Sequence, residues 1–267
     1  MSKFILLIKG VAIGIANIIP GLSGGTVAVI LGLYHTLIQS LANLISFQKH
    51  LFFNSFVSLF FVFLGAGLGV FGFSFVIDWL LLHYQESISF FFIGVILSSI
   101  PYVIYTEKIQ IKSSTRILIC IIFTLIGLTL VYSKFIFDFN GVSTITPLYL
   151  FFSVVIAAAA MIIPGVSGSL VLVLLGVYST VIYAIKNIVW IDLGIVILAV
   201  FVGVLGISKI LNKCIKRYFH LSMSAIIGLM IGTLPSVYYG FSLHLLYLNM
   251  ICFFAGIVLV WSFRLFK

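Results

Sequence analysis

Charge interrupts the apolar runs of this 267-residue chain so rarely that it constrains every fold open to it: fourteen Lys and Arg and five Asp and Glu make up 7% of the residues, against 63% hydrophobic. Soluble domains carry roughly a quarter charged residues, so too few charges are present to coat a water-facing surface. The solvent is lipid. At about 20 residues per membrane helix the length allows roughly eight to ten segments and no extramembrane domain. The net charge of +9 comes from basic residues placed singly or in small groups between apolar runs, which points to membrane orientation and away from nucleic acid. Cys120, Cys214 and Cys252 lack the paired spacing of a zinc site or a disulfide framework. No metal or cofactor is expected, and the segment around Lys3 and Lys9 does not read as a removable signal peptide.

The chain repeats itself. A shift of 144 lays Ile18-Ile19-Pro20-Gly21-Leu22-Ser23-Gly24-Gly25 on Ile162-Ile163-Pro164-Gly165-Val166-Ser167-Gly168-Ser169, with 13 identities over positions 18–38 that include Gly32/Gly176 and Tyr34/Tyr178. With the shift reduced to 134, Gly69, Tyr84, Gly94 and Pro101 meet Gly203, Tyr218, Gly228 and Pro235. Residues 1–267 are therefore read as a single membrane domain made of a repeat over 1–143 and a second over 144–267.

In each repeat a short apolar leg (4–19, 147–163) runs into Pro-Gly-x-Ser-Gly, and a second leg (23–45, 167–186) follows at once. The first legs reach only about 25 Å at 1.5 Å per residue, less than a hydrocarbon core of about 30 Å. Each pair is either a hairpin that dips in and returns or one discontinuous helix that crosses. With hairpins, and helices near 53–82, 89–105, 115–133, 190–210, 222–237 and 245–263, twelve of the fourteen basic residues fall on the cytoplasmic side, including Lys49, the 106–116 loop and both termini. With single crossings the count drops to nine against five. The positive-inside rule favours hairpins. One returning hairpin and three crossings per repeat then invert the second repeat relative to the first. The expected fold is an all-α integral membrane protein of two inverted-topology repeats, each with a re-entrant helical hairpin plus about three transmembrane helices, a plan common among secondary transporters.

The paired loops hold the candidate chemistry. Pro fixes φ, Gly permits unusual backbone, and the next helix begins near Ser23 or Ser167 with unpaired N–H groups and a positive dipole end that suit an anion. The hydroxyls of Ser23, Thr26, Ser167 and Ser169 add donors, and Asn17 lies just before the first loop. The same pattern also arises where Pro and Gly merely break helices and Ser caps the next one; two copies entering from opposite faces argue for a site. Lys9, inside an apolar leg, either pairs with the anion or snorkels to the cytoplasmic face. Tyr34 and Tyr178 read as packing before they read as hydroxyl donors.

Gly21-Leu22-Ser23-Gly24-Gly25 also matches the hydrolase elbow and an intramembrane serine protease loop. The elbow requires a soluble α/β sheet, and a membrane protease needs a His within reach of the Ser, whereas His35, His50, His83, His220 and His244 fall mostly near segment ends. The five acids are equally scattered, so enzymes of phosphate chemistry are disfavoured. The chain is read as a non-enzyme.

Lys9-Gly10, Ala16-Asn17, Pro20-Gly21-Leu22-Ser23-Gly24-Gly25-Thr26 with Gly32-Leu33-Tyr34, and Met161 through Ser169 with Gly176-Val177-Tyr178 resemble the bacterial polyprenyl-phosphate (undecaprenyl-phosphate) translocases over nearly the whole chain. The resemblance implies a multi-pass protein of the bacterial cytoplasmic membrane that flips the lipid carrier phosphate from the outer to the cytoplasmic leaflet for reuse in envelope synthesis. The partners expected are the polyprenyl-phosphate lipid and the bilayer, with no nucleic acid; a coupling proton or other ion is a further candidate that the sequence does not identify. The substrate-binding residues expected are Lys9, Asn17, Pro20, Gly21, Ser23, Gly24, Gly25, Thr26, Pro164, Gly165, Ser167, Gly168 and Ser169. A small-anion secondary transporter is the first alternative reading and an intramembrane serine hydrolase the second.

Overall fold

A computed structural model describes residues 2–19, 23–45, 48–110, 113–136 and 145–263. Among them it holds eleven α-helices and no strand: α1 Lys3–Ile18, α2 Gly24–Ile30, α3 Tyr34–Asn43, α4 Lys49–Thr106, α5 Ser114–Ile136, α6 Pro147–Ile162, α7 Gly168–Leu174, α8 Tyr178–Lys186, α9 Trp190–Arg217, α10 Phe219–Gly232 and α11 Leu246–Ser262. Local chemistry sets the starts of the first helix in each repeat. The Ser2 hydroxyl accepts from Ile5 N at 3.3 Å, and the Thr146 hydroxyl accepts from Tyr149 N at 3.3 Å, with Pro147 at the position where a missing N–H costs nothing.

Among the described residues four helices are long and apolar enough to cross a membrane, or six if each bent pair α2–α3 and α7–α8 counts as one span. At 1.5 Å per residue the 58 residues of α4 would extend about 87 Å, far beyond one bilayer. A single residue resolves this: Tyr84, at φ −134° and ψ 33°, kinks the chain between two helical stretches. The repeat-equivalent Tyr218, at φ −132° and ψ 51°, makes the same break between α9 and α10. The sequence suggested a connecting loop over 83–88, where the structure has a one-residue kink.

The second legs also differ from expectation. Neither 23–45 nor 167–186 is one helix: Gly32 at φ +63° and Gly176 at φ +67° stop α2 and α7 after seven residues, and α3 and α8 leave at 117° and 113°. These are left-handed conformations that glycine adopts without a Cβ penalty.

Close packing joins the pieces. α1 lies on the first stretch of α4 and α6 on α9, while the second stretch of α4 packs on α11 and α5 on α10, so the last helix of each repeat lies in the other half. Backbones touch at glycine: a Cβ at Gly10, Gly14, Gly65 or Gly69 would collide with carbonyls of the facing helix. Gly67 and Gly72, in the same run, face open space. Gly14→Val is therefore expected to destabilise the detergent-solubilised protein by about 1–3 kcal/mol or more and Gly67→Val to leave its thermal midpoint near wild type. Equal midpoints would remove the packing account. A polar joint at Glu86 supplements the apolar ones. The Glu86 carboxylate accepts from Ser242 N at 2.7 Å, Ser242 Oγ at 2.5 Å and the amide of Asn249, while Ser87 donates to Asn249 Oδ1 at 2.8 Å. It ties the start of the second α4 stretch to α11.

Candidate functional site: two facing serine loops

Each loop begins where an extended residue ends its helix, Ile19 at φ −84° and ψ 120° and Ile163 at φ −78° and ψ 123°. Each ends at an extended serine that opens the next helix, Ser23 at φ −98° and ψ 134° and Ser167 at φ −92° and ψ 123°. The helix starts expected at these serines are where the structure has them. Of the candidate residues, Pro20 and Gly21 lie outside the described residues. Pro164 is buried, and Gly165 turns the second loop at φ +87°.

The loops touch. Gly165 N donates to Thr26 Oγ1 at 2.9 Å, and a Cβ on Gly25 would press on Ile162 O and Pro164 Cα, both at 3.3 Å. Thr26, only 2% exposed, thus ties one loop to the other. Asn17, Ser23, Ser167, Gly168, Ser169 and Tyr178 line a common cavity of about 590 Å³. A second cavity of about 370 Å³ shares Ser167, Ser169 and Tyr178 with it and continues to Thr233, Ser236 and Tyr239. Among the described residues lining the two cavities none carries a charge; the donors are hydroxyls, an amide and backbone N–H.

The two loops differ in how their donors are used. In the first, Asn17 Oδ1 accepts from Gly24 N at 3.0 Å and Ser23 Oγ from Gly25 N at 3.2 Å, so the start of α2 is satisfied from within. In the second, Ser167 makes no cap; its hydroxyl meets Ser169 Oγ at 2.8 Å, and the first-turn N–H groups of α7 have no partner among the described residues. With α2 and α7 seven residues long, local N–H and hydroxyl groups matter more than a long-helix dipole. Lys9 is placed elsewhere: its Nζ donates to Leu31 O at 2.7 Å, holding the carbonyl end of α2. Sequence reading missed Thr233, Ser236 and Tyr239. Their signal was a hydroxyl every third residue after α10, on a segment with no motif.

These features define a polytopic α-helical membrane protein whose two halves meet at paired serine loops on a polar cavity. The undecaprenyl phosphate translocase-like family matches residues 13–249. A polyprenyl-phosphate transporter of Vibrio cholerae serotype O1 is 32% identical over 255 residues, covering 89% of this chain and 78% of its own. A polyprenyl-phosphate transporter of Staphylococcus aureus is 30% identical over 269 residues, covering 96% and 94%. No solved structure gives a significant match. The chain belongs to the undecaprenyl phosphate translocase-like family.

Proposed function

We propose that this protein moves a polyprenyl phosphate from the outer to the cytoplasmic leaflet, its headgroup passing between the two serine loops and its tail remaining in lipid. The observation that carries the reading is the meeting of both repeat loops on one polar cavity, in a chain whose relatives are named for transport of this lipid. The energetics demand such a route. A phosphate in dry hydrocarbon costs tens of kcal/mol by Born estimates, more than a few hydrogen bonds of about 1.5–3 kcal/mol each return, so the headgroup must travel hydrated. Neutral donors suit passage, since a carrier must release what it binds. An apolar cavity of about 540 Å³, lined by α1, α4 and α11 and sharing Ile19 with the polar one, offers the first isoprene units a place beside the headgroup.

In this reading the repeats are inverted, the loops enter from opposite faces, both termini are cytoplasmic, and a proton or another ion drives the cycle. Cysteines at Gln48 and Gln110 are expected to label from the cytoplasm and one at Gln85 from outside; labelling of 48 and 110 from opposite faces would overturn the inversion. The decisive experiment is reconstitution. Vesicles holding the protein should equilibrate a fluorescent polyprenyl phosphate between leaflets faster than empty vesicles, and equal rates would refute the proposal.

A further inference from the structure

The two polar cavities are the wide end of a row of neighbouring cavities. The 590 Å³ cavity shares Asn17 and Met161 with a cavity of about 150 Å³ beneath the first loop. That cavity shares a single residue, Tyr34, with a cleft of about 30 Å³ at His35 and Glu107. From Tyr239 to Glu107 these spaces are neighbours divided by shared wall residues, the largest beside the loops and the smallest at Glu107. The pinched end borders Ile215 and Phe219, flanking the basic cluster Lys213, Lys216 and Arg217. Positive charge marks that end as cytoplasmic.

Tyr34 and its repeat equivalent Tyr178 occupy opposite circumstances. Tyr178 is 41% exposed on both wide cavities. Tyr34 is 6% exposed, and its hydroxyl has no hydrogen-bond partner among the described residues. Buried hydroxyls without partners are rare and call for a reason. Each tyrosine is the first residue of a helix that leaves its neighbour at 117° or 113°, two residues after a glycine at φ +63° or +67°. Each is therefore mounted on the same kind of hinge.

We propose that Tyr34 and Tyr178 are an alternating pair of headgroup ligands, with Tyr178 offering its hydroxyl to the phosphate in the state seen here while Tyr34 plugs the path at His35 and Glu107. In the exchanged state the first hinge opens, the Tyr34 hydroxyl gains the phosphate as its partner, and Tyr178 closes the opposite end. The unpaired hydroxyl of Tyr34 is a donor held in reserve. This rests on the transport reading above, and it adds two headgroup-binding residues and a closed end to it.

The test uses the full chain in vesicles with a fluorescent polyprenyl phosphate. Tyr34→Phe and Tyr178→Phe should each slow transport about tenfold, the factor for a charge-assisted hydrogen bond near the low end of its range. Tyr34→Phe should leave the thermal midpoint unchanged or raised, since it removes only an unpaired hydroxyl. A packing role would instead leave transport untouched. In a background with Cys120, Cys214 and Cys252 replaced by Ser, Tyr34→Cys should react with an impermeant maleimide from the face that labels Gln110→Cys, and Tyr178→Cys from the opposite face. Wild type that transports together with a fully active Tyr34→Phe, or labelling of both cysteines from one face, overturns the pairing alone. Wild type that fails to transport overturns the parent reading and this one together.

Discussion

Removing the Ser167 and Ser169 hydroxyls together, as the double alanine variant, is expected to slow leaflet-to-leaflet movement of a polyprenyl phosphate by roughly one to two decades while the protein remains folded. Among the described residues the two hydroxyls meet each other at 2.8 Å and no other partner, and Ser167 does not cap α7, so the structure loses little when they go. The phosphate loses charge-assisted donors worth about 1.5–3 kcal/mol each, and about 1.4 kcal/mol is a factor of ten. Ser23→Ala should behave differently. Ser23 is 6% exposed and its hydroxyl caps α2 through Gly25 N, so its loss should appear first as about 1 kcal/mol of stability. The comparison needs two readouts, transport rate in vesicles and thermal midpoint in detergent. A double variant that transports at the wild-type rate would move the phosphate site away from the second loop.

That contrast between the two loops was only partly legible in the sequence: Pro-Gly-x-Ser-Gly stands in both, while Asn17, which accepts from Gly24 N, falls on Met161 under the repeat shift. What was legible was local: a Ser after Pro-Gly opens a helix, and α2 and α7 begin one residue after Ser23 and Ser167. The helices near 115–133, 190–210 and 245–263 were legible too, because long apolar runs bounded by charge leave few alternatives in lipid. The breaks at Gly32 and Gly176 were hidden because apolar residues continue on both sides of them, although both glycines belong to the repeat identities. The kinks at Tyr84 and Tyr218 were hidden for the opposite reason: nothing in the residue type forces a kink there. Lys9 illustrates the limit for side chains. Its spacing placed it in an apolar leg, but its partner, the Leu31 carbonyl, lies 22 residues away and depends on the turn between them.

The joint between the loops should be the most sensitive point in the molecule. Gly165 sits at φ +87°, a region that β-branched residues avoid. A Cβ there would also stand 3.0 Å from Thr233 Oγ1 and 3.1 Å from the Leu229 backbone on α10. Gly165→Val is thus expected to abolish transport and to lower the thermal midpoint sharply, through backbone strain and steric overlap together. Loss of folding alone would be ambiguous, so the partner residue supplies the second arm. Thr26→Val removes the acceptor at 2.9 Å and strands the Gly165 N–H, a cost of about 1–3 kcal/mol, whereas Thr26→Ser keeps the hydroxyl and should transport and melt near wild type. If the loops must be held against each other for the headgroup to pass, Thr26→Val will be slower than its loss of stability explains when both variants are assayed well below their midpoints. A Gly165→Val protein that folds and transports normally, or a Thr26→Val protein indistinguishable from Thr26→Ser, would show that the two halves do not depend on this contact.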